Sequence, residues 1–160
     1  MRRRALGELG ELIAIKTLVY RGYEKIININ DVKINYPFAD LYAEKEGNKY
    51  VISVKSRNKY EKNSIKINNR YKLGKNAHEN AEKAEIEYNA KAYWMAIQFD
   101  VKSYSVFFGS LKELEELENA NAIPVSKCMK EECGKILAKD VPHYFDFSYF
   151  GNSNVQEINE

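Results

Sequence analysis

Asp40 is followed, after twelve residues, by Ser53-Val54-Lys55. A carboxylate suits a hard divalent cation, which prefers oxygen ligands. An ammonium beside that cation can orient a water, help it lose a proton, or offset charge growing on a phosphate. Lysine fits this role because it is a compact point charge on a flexible stem. The two groups must then be brought together. The stretch Pro37 to Arg57 reads as two strands folded back on each other, Phe38 to Ala43 and Lys49 to Ser56. Glu44-Lys45-Glu46-Gly47-Asn48 is the polar turn, with Gly47 supplying the unusual backbone angles. Such a hairpin places the head of the first strand beside the tail of the second. By period two, Ser53 and Lys55 share a face with Val51, while Ile52 and Val54 point into the opposite layer.

Charge is distributed unevenly. The net charge is only +2, yet Lys55 to Lys75 holds eight Lys/Arg and one acid, Glu61. A local basic patch on a balanced chain suits a polyanion on one face. Arg57, Lys59, Lys62, Lys66, Arg70, Lys72 and Lys75 are candidate phosphate contacts, and Tyr60 and Tyr71 could stack on unpaired bases. The plainer alternative is a solvated loop.

The elements around the hairpin follow from periodicity. Arg4 to Tyr20 reads as a helix whose apolar face takes in Ala5, Leu6, Leu9, Leu12, Ile13, Leu18 and Val19. Gly7 and Gly10 cost it roughly 1 kcal/mol each, which close approach of a backbone or ligand would explain. Gly22 closes it. Glu24 to Ile29 is a short strand. Ser56 to Lys75 lacks clear periodicity, although Ile65 and Ile67 suggest a brief strand. Asn76 with Glu79 resembles a capping box ahead of a helix whose stripe is Ala77, Ala81, Ala84 and Tyr88. Ala92 to Phe99 and Tyr104 to Phe108 are strands, Ser110 with Glu113 caps a further helix to about Asn119, and Ala122 to Val125 is an edge strand weakened by Pro124. Helix, three strands, helix, two strands, helix implies a three-layer α/β/α sandwich around a mixed sheet.

The acid-x12-Ser-x-Lys pattern on a hairpin resembles the PD-(D/E)XK nuclease superfamily, whose pattern ends in acid-x-Lys. Gly10-Glu11-Leu12-Ile13-Ala14 and then Gly22-Tyr23 resemble the first helix and turn of its Holliday-junction-resolvase-like members. The resemblance covers roughly the first hundred residues. It implies a restriction-endonuclease-like core and an Mg²⁺- or Mn²⁺-dependent endonuclease acting on DNA. It implies Asp40 as a metal ligand, the Val54 carbonyl completing the shell, Lys55 assisting attack, and Glu11 binding the metal through water or positioning the nucleophile. Glu8, one turn away, is Glu11's rival. The chain departs from the pattern at Ser53, where the second acid belongs. Three readings follow: Glu79 or Glu82 is recruited in its place, Glu11 and Asp40 suffice, or the fold only binds nucleic acid as part of a DNA-processing complex.

A single domain over 1–150 with a polar tail over 151–160 is expected. The aromatic run Tyr144, Phe145, Phe147, Tyr149 and Phe150 would pack on the body, or form a protein-contact surface in a reading without nucleic acid. No run of 18 apolar residues would span a membrane, and Met1-Arg2-Arg3-Arg4 followed by Glu8 and Glu11 is no secretory signal. Cys128 and Cys133 make no disulfide framework, and with His143 they fall short of a zinc set. His78 reads as an ordinary first-turn helix residue. An intracellular, cytoplasmic protein is expected, and a homodimer is allowed for.

Overall fold

The computed structural model describes residues 2–118, 121–126 and 133–144. Helix α1 spans Arg2–Tyr20, followed by β1 (Glu24–Asn28), a 3-10 turn (Ile29–Asp31), β2 (Leu41–Lys45) and β3 (Asn48–Asn58). Then come β4 (Arg70–Lys72), α2 (Ala77–Tyr88), β5 (Lys91–Phe99), β6 (Ser103–Ser110), α3 (Leu111–Glu118), β7 (Ala122–Pro124) and β8 (Lys135–Pro142). Six strands form one sheet in the order β1-β2-β3-β5-β6-β8, and β4 pairs with β7 in a separate small sheet. In the large sheet β3 and β5 are parallel and the other neighbours antiparallel. The parallel pair needs a long crossover, and α2 supplies it.

The expected alternation of β3 decides which layer each residue enters. Val51 joins the core under α2 and α3, with Ala77, Ala81, Ala84, Trp94, Phe107, Leu111 and Leu114. Ile52 joins the core under α1, with Leu6, Ile13, Leu18, Met95, Ile97 and Phe108. Helices therefore cover both faces of a mixed sheet, the three-layer sandwich read from the element order. The α1 stripe is narrower than expected, because Leu12 and Val19 are exposed. Gly10 lies where α1 crosses β3: a Cβ there would sit 1.7 Å from Ser56 Oγ. Gly7 faces open space instead. The helix ends as Gly22 foretold, with φ +86° and with Tyr23 N–H donating to the Leu18 carbonyl at 2.9 Å.

Turn chemistry departs from expectation in two places. The β2–β3 hairpin closes on Glu46 and Gly47 alone, both at positive φ (51° and 82°), so the strands run further into the turn than the polar residues suggested. Asn76 is in the left-handed region and its side chain makes no cap bond, so the capping box with Glu79 does not form. Ser110 does cap α3, accepting from Glu113 N–H at 3.0 Å. Strand β8 lies where the sequence carries no clear periodicity. The tail 151–160, Phe145, Phe147, Tyr149, Phe150 and Cys128 lie outside the described residues. Among the described residues no helix is long and apolar enough to cross a membrane.

Candidate active site

The site begins with a break in a strand. Phe38 has φ +67°, and Ala39 N–H donates to the Pro37 carbonyl at 2.9 Å. This is a tight γ-turn with a bulky residue at its centre, a strained conformation. It is why β2 starts at Leu41 and not at the expected Phe38. Asp40 itself is still tied in: its N–H donates to the Ile52 carbonyl (2.8 Å) and its carbonyl accepts from Ile29 N–H (2.9 Å). Beyond it the ladder stops, and Asp40 Oδ2 accepts from Val54 N–H at 2.8 Å, where a continuing strand would offer a carbonyl. The N–H and C=O of one strand residue point to the same side. The Val54 carbonyl therefore faces the same gap as the Asp40 carboxylate.

Three charged groups meet around that gap. Burial raises the Asp40 pKa, opposed by the Val54 N–H, by Lys55 and by the Asn30 side chain. Burial lowers the Lys55 pKa, opposed by Asp40 and reinforced by Arg57. Burial and the charge of Asp40 push Glu11, on α1, up to about 7 against hydrogen bonds from Asn30 and Asn28. Glu11 and Asp40 line one cleft of about 980 Å³ together with Gly7, Glu8, Asn28, Asn30 and Tyr36. Gly7 keeps the helix side of that cleft open.

Sequence reasoning missed Asn28 and Asn30. An Asn amide carries two N–H donors, so one side chain can serve two carboxylates. Asn30 does so, reaching both Glu11 and Asp40. Its own N–H donates to Asn28 Oδ1 at 3.1 Å, which fixes the 3-10 turn from which both project. In the sequence this Asn30-Asp31 pair carries only a turn signal.

The other expected residues divide. Ser53 is buried, its hydroxyl has no hydrogen-bond partner among the described residues, and it does not line the cleft. Glu79 and Glu82 stand exposed on α2, the helix on the face away from α1, with Glu79 paired to Lys83 (3.7 Å). Among the described residues no group of three or more His, Cys, Asp or Glu is placed to hold a metal, which gives no support to a recruited acid or a zinc set. Cys133 is buried, the His143 ring bonds the Asp100 carbonyl (3.0 Å), and His78 pairs with Glu115 (2.6 Å).

Downstream, Arg57 is half-buried and donates to the Ser56 carbonyl (2.7 Å), and Lys59 pairs with Asp100 (3.7 Å). Lys62, Lys66, Arg70, Lys72 and Lys75 are exposed, and Tyr60 is partly so. Tyr71 is fully buried in the core under α2 and cannot stack on a base. Its place on β4, paired with Ile123 of β7, turns its ring inward while Arg70 and Lys72 face out.

Glu11, Asp40 and the Val54 carbonyl are all hard oxygen donors. Two neighbouring carboxylates whose pKa values both rise, Asp40 through burial and Glu11 through burial and then the Asp40 charge, fit a divalent cation. Ser53, buried and off the cleft, adds no ligand to this set.

The sheet order, the parallel β3–β5 pair and the helices on both faces define a restriction-endonuclease-like fold. No family model matches the chain, and no curated protein does. Among solved structures, Hjc of Archaeoglobus fulgidus, a Holliday junction resolvase from an archaeal hyperthermophile, matches with a TM-score of 0.57. The identity is 18%, over 82% of this chain and 96% of that one. The chain is similar to that resolvase in fold.

Proposed function

We propose that this chain is a metal-dependent nuclease that hydrolyses DNA phosphodiester bonds. The observation that carries the reading is the meeting of Glu11, from α1, and Asp40, from the head of β2, with half-buried Lys55 in electrostatic reach of Asp40. When bound, Mg²⁺ or Mn²⁺ supplies Lewis-acid polarisation of a phosphate oxygen and a more acidic water. Glu11, Asp40 and the Val54 carbonyl would hold it. Lys55, its pKa lowered by burial, orients the attacking water or meets the charge growing on the phosphate. Asn28 and Asn30 keep the Glu11 carboxylate turned toward Asp40. The exposed cations from Lys62 to Lys75 take the phosphates of the backbone, which gives affinity without sequence choice.

The fold shared with a Holliday junction resolvase makes four-way junction DNA the first substrate to try, beside plasmid and linear duplex. The experiment is cleavage of all three in Mg²⁺ or Mn²⁺ by the wild type, Asp40→Ala and Lys55→Ala. Cleavage by the wild type alone supports the reading. Cleavage that persists in both variants points to another site.

A second reading is a nucleic-acid-binding subunit without hydrolysis. Ser53 favours it, since a buried hydroxyl brings no anionic ligand to a cation. Salt-sensitive DNA binding with no cleavage in either metal selects it.

A further inference from the structure

Residues 59 to 68 form an ordered ribbon that the proposed chemistry does not use. Glu61 N–H donates to the Lys66 carbonyl (2.8 Å) and Asn68 N–H to the Lys59 carbonyl (2.7 Å), with Tyr60 and Ile67 bridged between them. Ser64 N–H turns back to the Glu61 carbonyl (3.1 Å), and Asn63 takes the positive φ of 54° that the tip requires. The base is anchored on both sides: Lys59 N–H donates to the Phe99 carbonyl (2.7 Å), and Val125 N–H donates to the Asn69 carbonyl (3.0 Å). The ribbon is therefore a short two-stranded arm springing from the end of β3, the strand that carries Lys55.

Its tip carries an unusual side chain. Ile65 is 94% exposed, the most exposed of the large aliphatic residues among those described. Lys62 and Lys66 flank it, and both are exposed. Ile67 and its cross-strand partner Tyr60 share one face of the ribbon, and Ile65 stands at the bend just beyond them. A cationic arm with an apolar stripe ending in a bare isoleucine has the chemistry of a nucleic-acid groove: phosphates on either side, base edges and thymine methyls on the floor. The major groove of duplex DNA admits a two-stranded ribbon.

Resting on the nuclease reading, we propose that this arm enters the major groove of the DNA duplex beside the cleavage site. Ile65 lies against base edges, including thymine methyls, and Lys62 and Lys66 contact the flanking phosphates. Arm and active site are held in register because β3 runs from one into the other.

The test is equilibrium binding to duplex and four-way junction DNA across a salt series, with cleavage followed in parallel. Ile65→Ala and Ile65→Asn are compared with Lys62→Gln/Lys66→Gln; at a side chain this exposed, folding is not at stake. Both Ile65 variants should bind roughly tenfold more weakly with the salt slope unchanged. The lysine pair should lower that slope by about 2. Replacing thymine by uracil in the duplex should weaken the wild type and leave Ile65→Ala unmoved. Wild-type affinity in both Ile65 variants, or an equal uracil effect in wild type and Ile65→Ala, overturns the arm proposal while DNA binding and cleavage stand. Loss of all DNA binding by the wild type would instead overturn the nuclease reading and the arm with it.

Discussion

Glu11→Gln should flatten the pH dependence of stability in the metal-free protein. The Glu11 pKa rises from its ordinary 4.5 to about 7, first through burial and then through Asp40. A carboxyl whose folded pKa lies above its unfolded value binds more protons when folded. It therefore costs nothing below pH 4.5, and the fold loses stability as pH climbs toward 7. Taken at face value, that interval amounts to about 3.4 kcal/mol at 1.36 kcal/mol per pH unit. The Glu11 side chain is only half-buried, and solvent screening brings the figure to about 1–2 kcal/mol. Asp40 shifts in the same direction and adds to the slope. Chemical denaturation in chelator at pH 5 and pH 8 measures it. The wild type should be less stable at pH 8, and Glu11→Gln should recover most of the difference. Mn²⁺ at a hundredfold its dissociation constant should return about 2.7 kcal/mol to the wild type at pH 8. An unchanged pH slope in Glu11→Gln would refute the claim that Glu11 and Asp40 crowd each other.

Three further outcomes follow from the packing. Gly10→Ala should cost about 1–3 kcal/mol in denaturant, because its Cβ meets Ser56 Oγ at 1.7 Å, whereas Gly7→Ala, with nothing within 4 Å, should gain up to about 1 kcal/mol. Tyr71→Phe should leave DNA binding untouched and change stability by no more than about 1 kcal/mol, the worth of its buried hydroxyl's contact with the Gln98 side chain; weaker DNA binding would restore Tyr71 as a contact. Asn30→Ala should weaken Mn²⁺ binding by about tenfold or more in calorimetry, as loss of a group orienting metal ligands does, while far-ultraviolet circular dichroism stays native; unchanged affinity would remove Asn30 from the site.

Most of the frame was legible because it depends on local pattern. Alternation in β3 assigned Val51 and Ile52 to opposite cores, small residues on α2 announced a close seat on the sheet, and Gly22 marked the end of α1. The site was legible in part. Asp40, Lys55 and Glu11 come together, but the device that aims Asp40 is a strained turn at Phe38, and nothing in a Pro-Phe-Ala-Asp string requires one. Asn30 was hidden because a turn asparagine and a carboxylate-bridging asparagine look alike until Glu11 is brought across from α1. Tyr71 was misread because it lies among lysines in sequence, while β4–β7 pairing turns it into the core. Such facts belong to tertiary contact, which a single chain's periodicity does not encode.

The most direct measurement is anomalous scattering from crystals grown in Mn²⁺. A manganese peak between the Glu11 and Asp40 carboxylates, beside the Val54 carbonyl and absent in Asp40→Ala, is the expected result. A saturated Mn²⁺ soak with no peak there, or with manganese bound only elsewhere, would contradict the cation site on which this account rests.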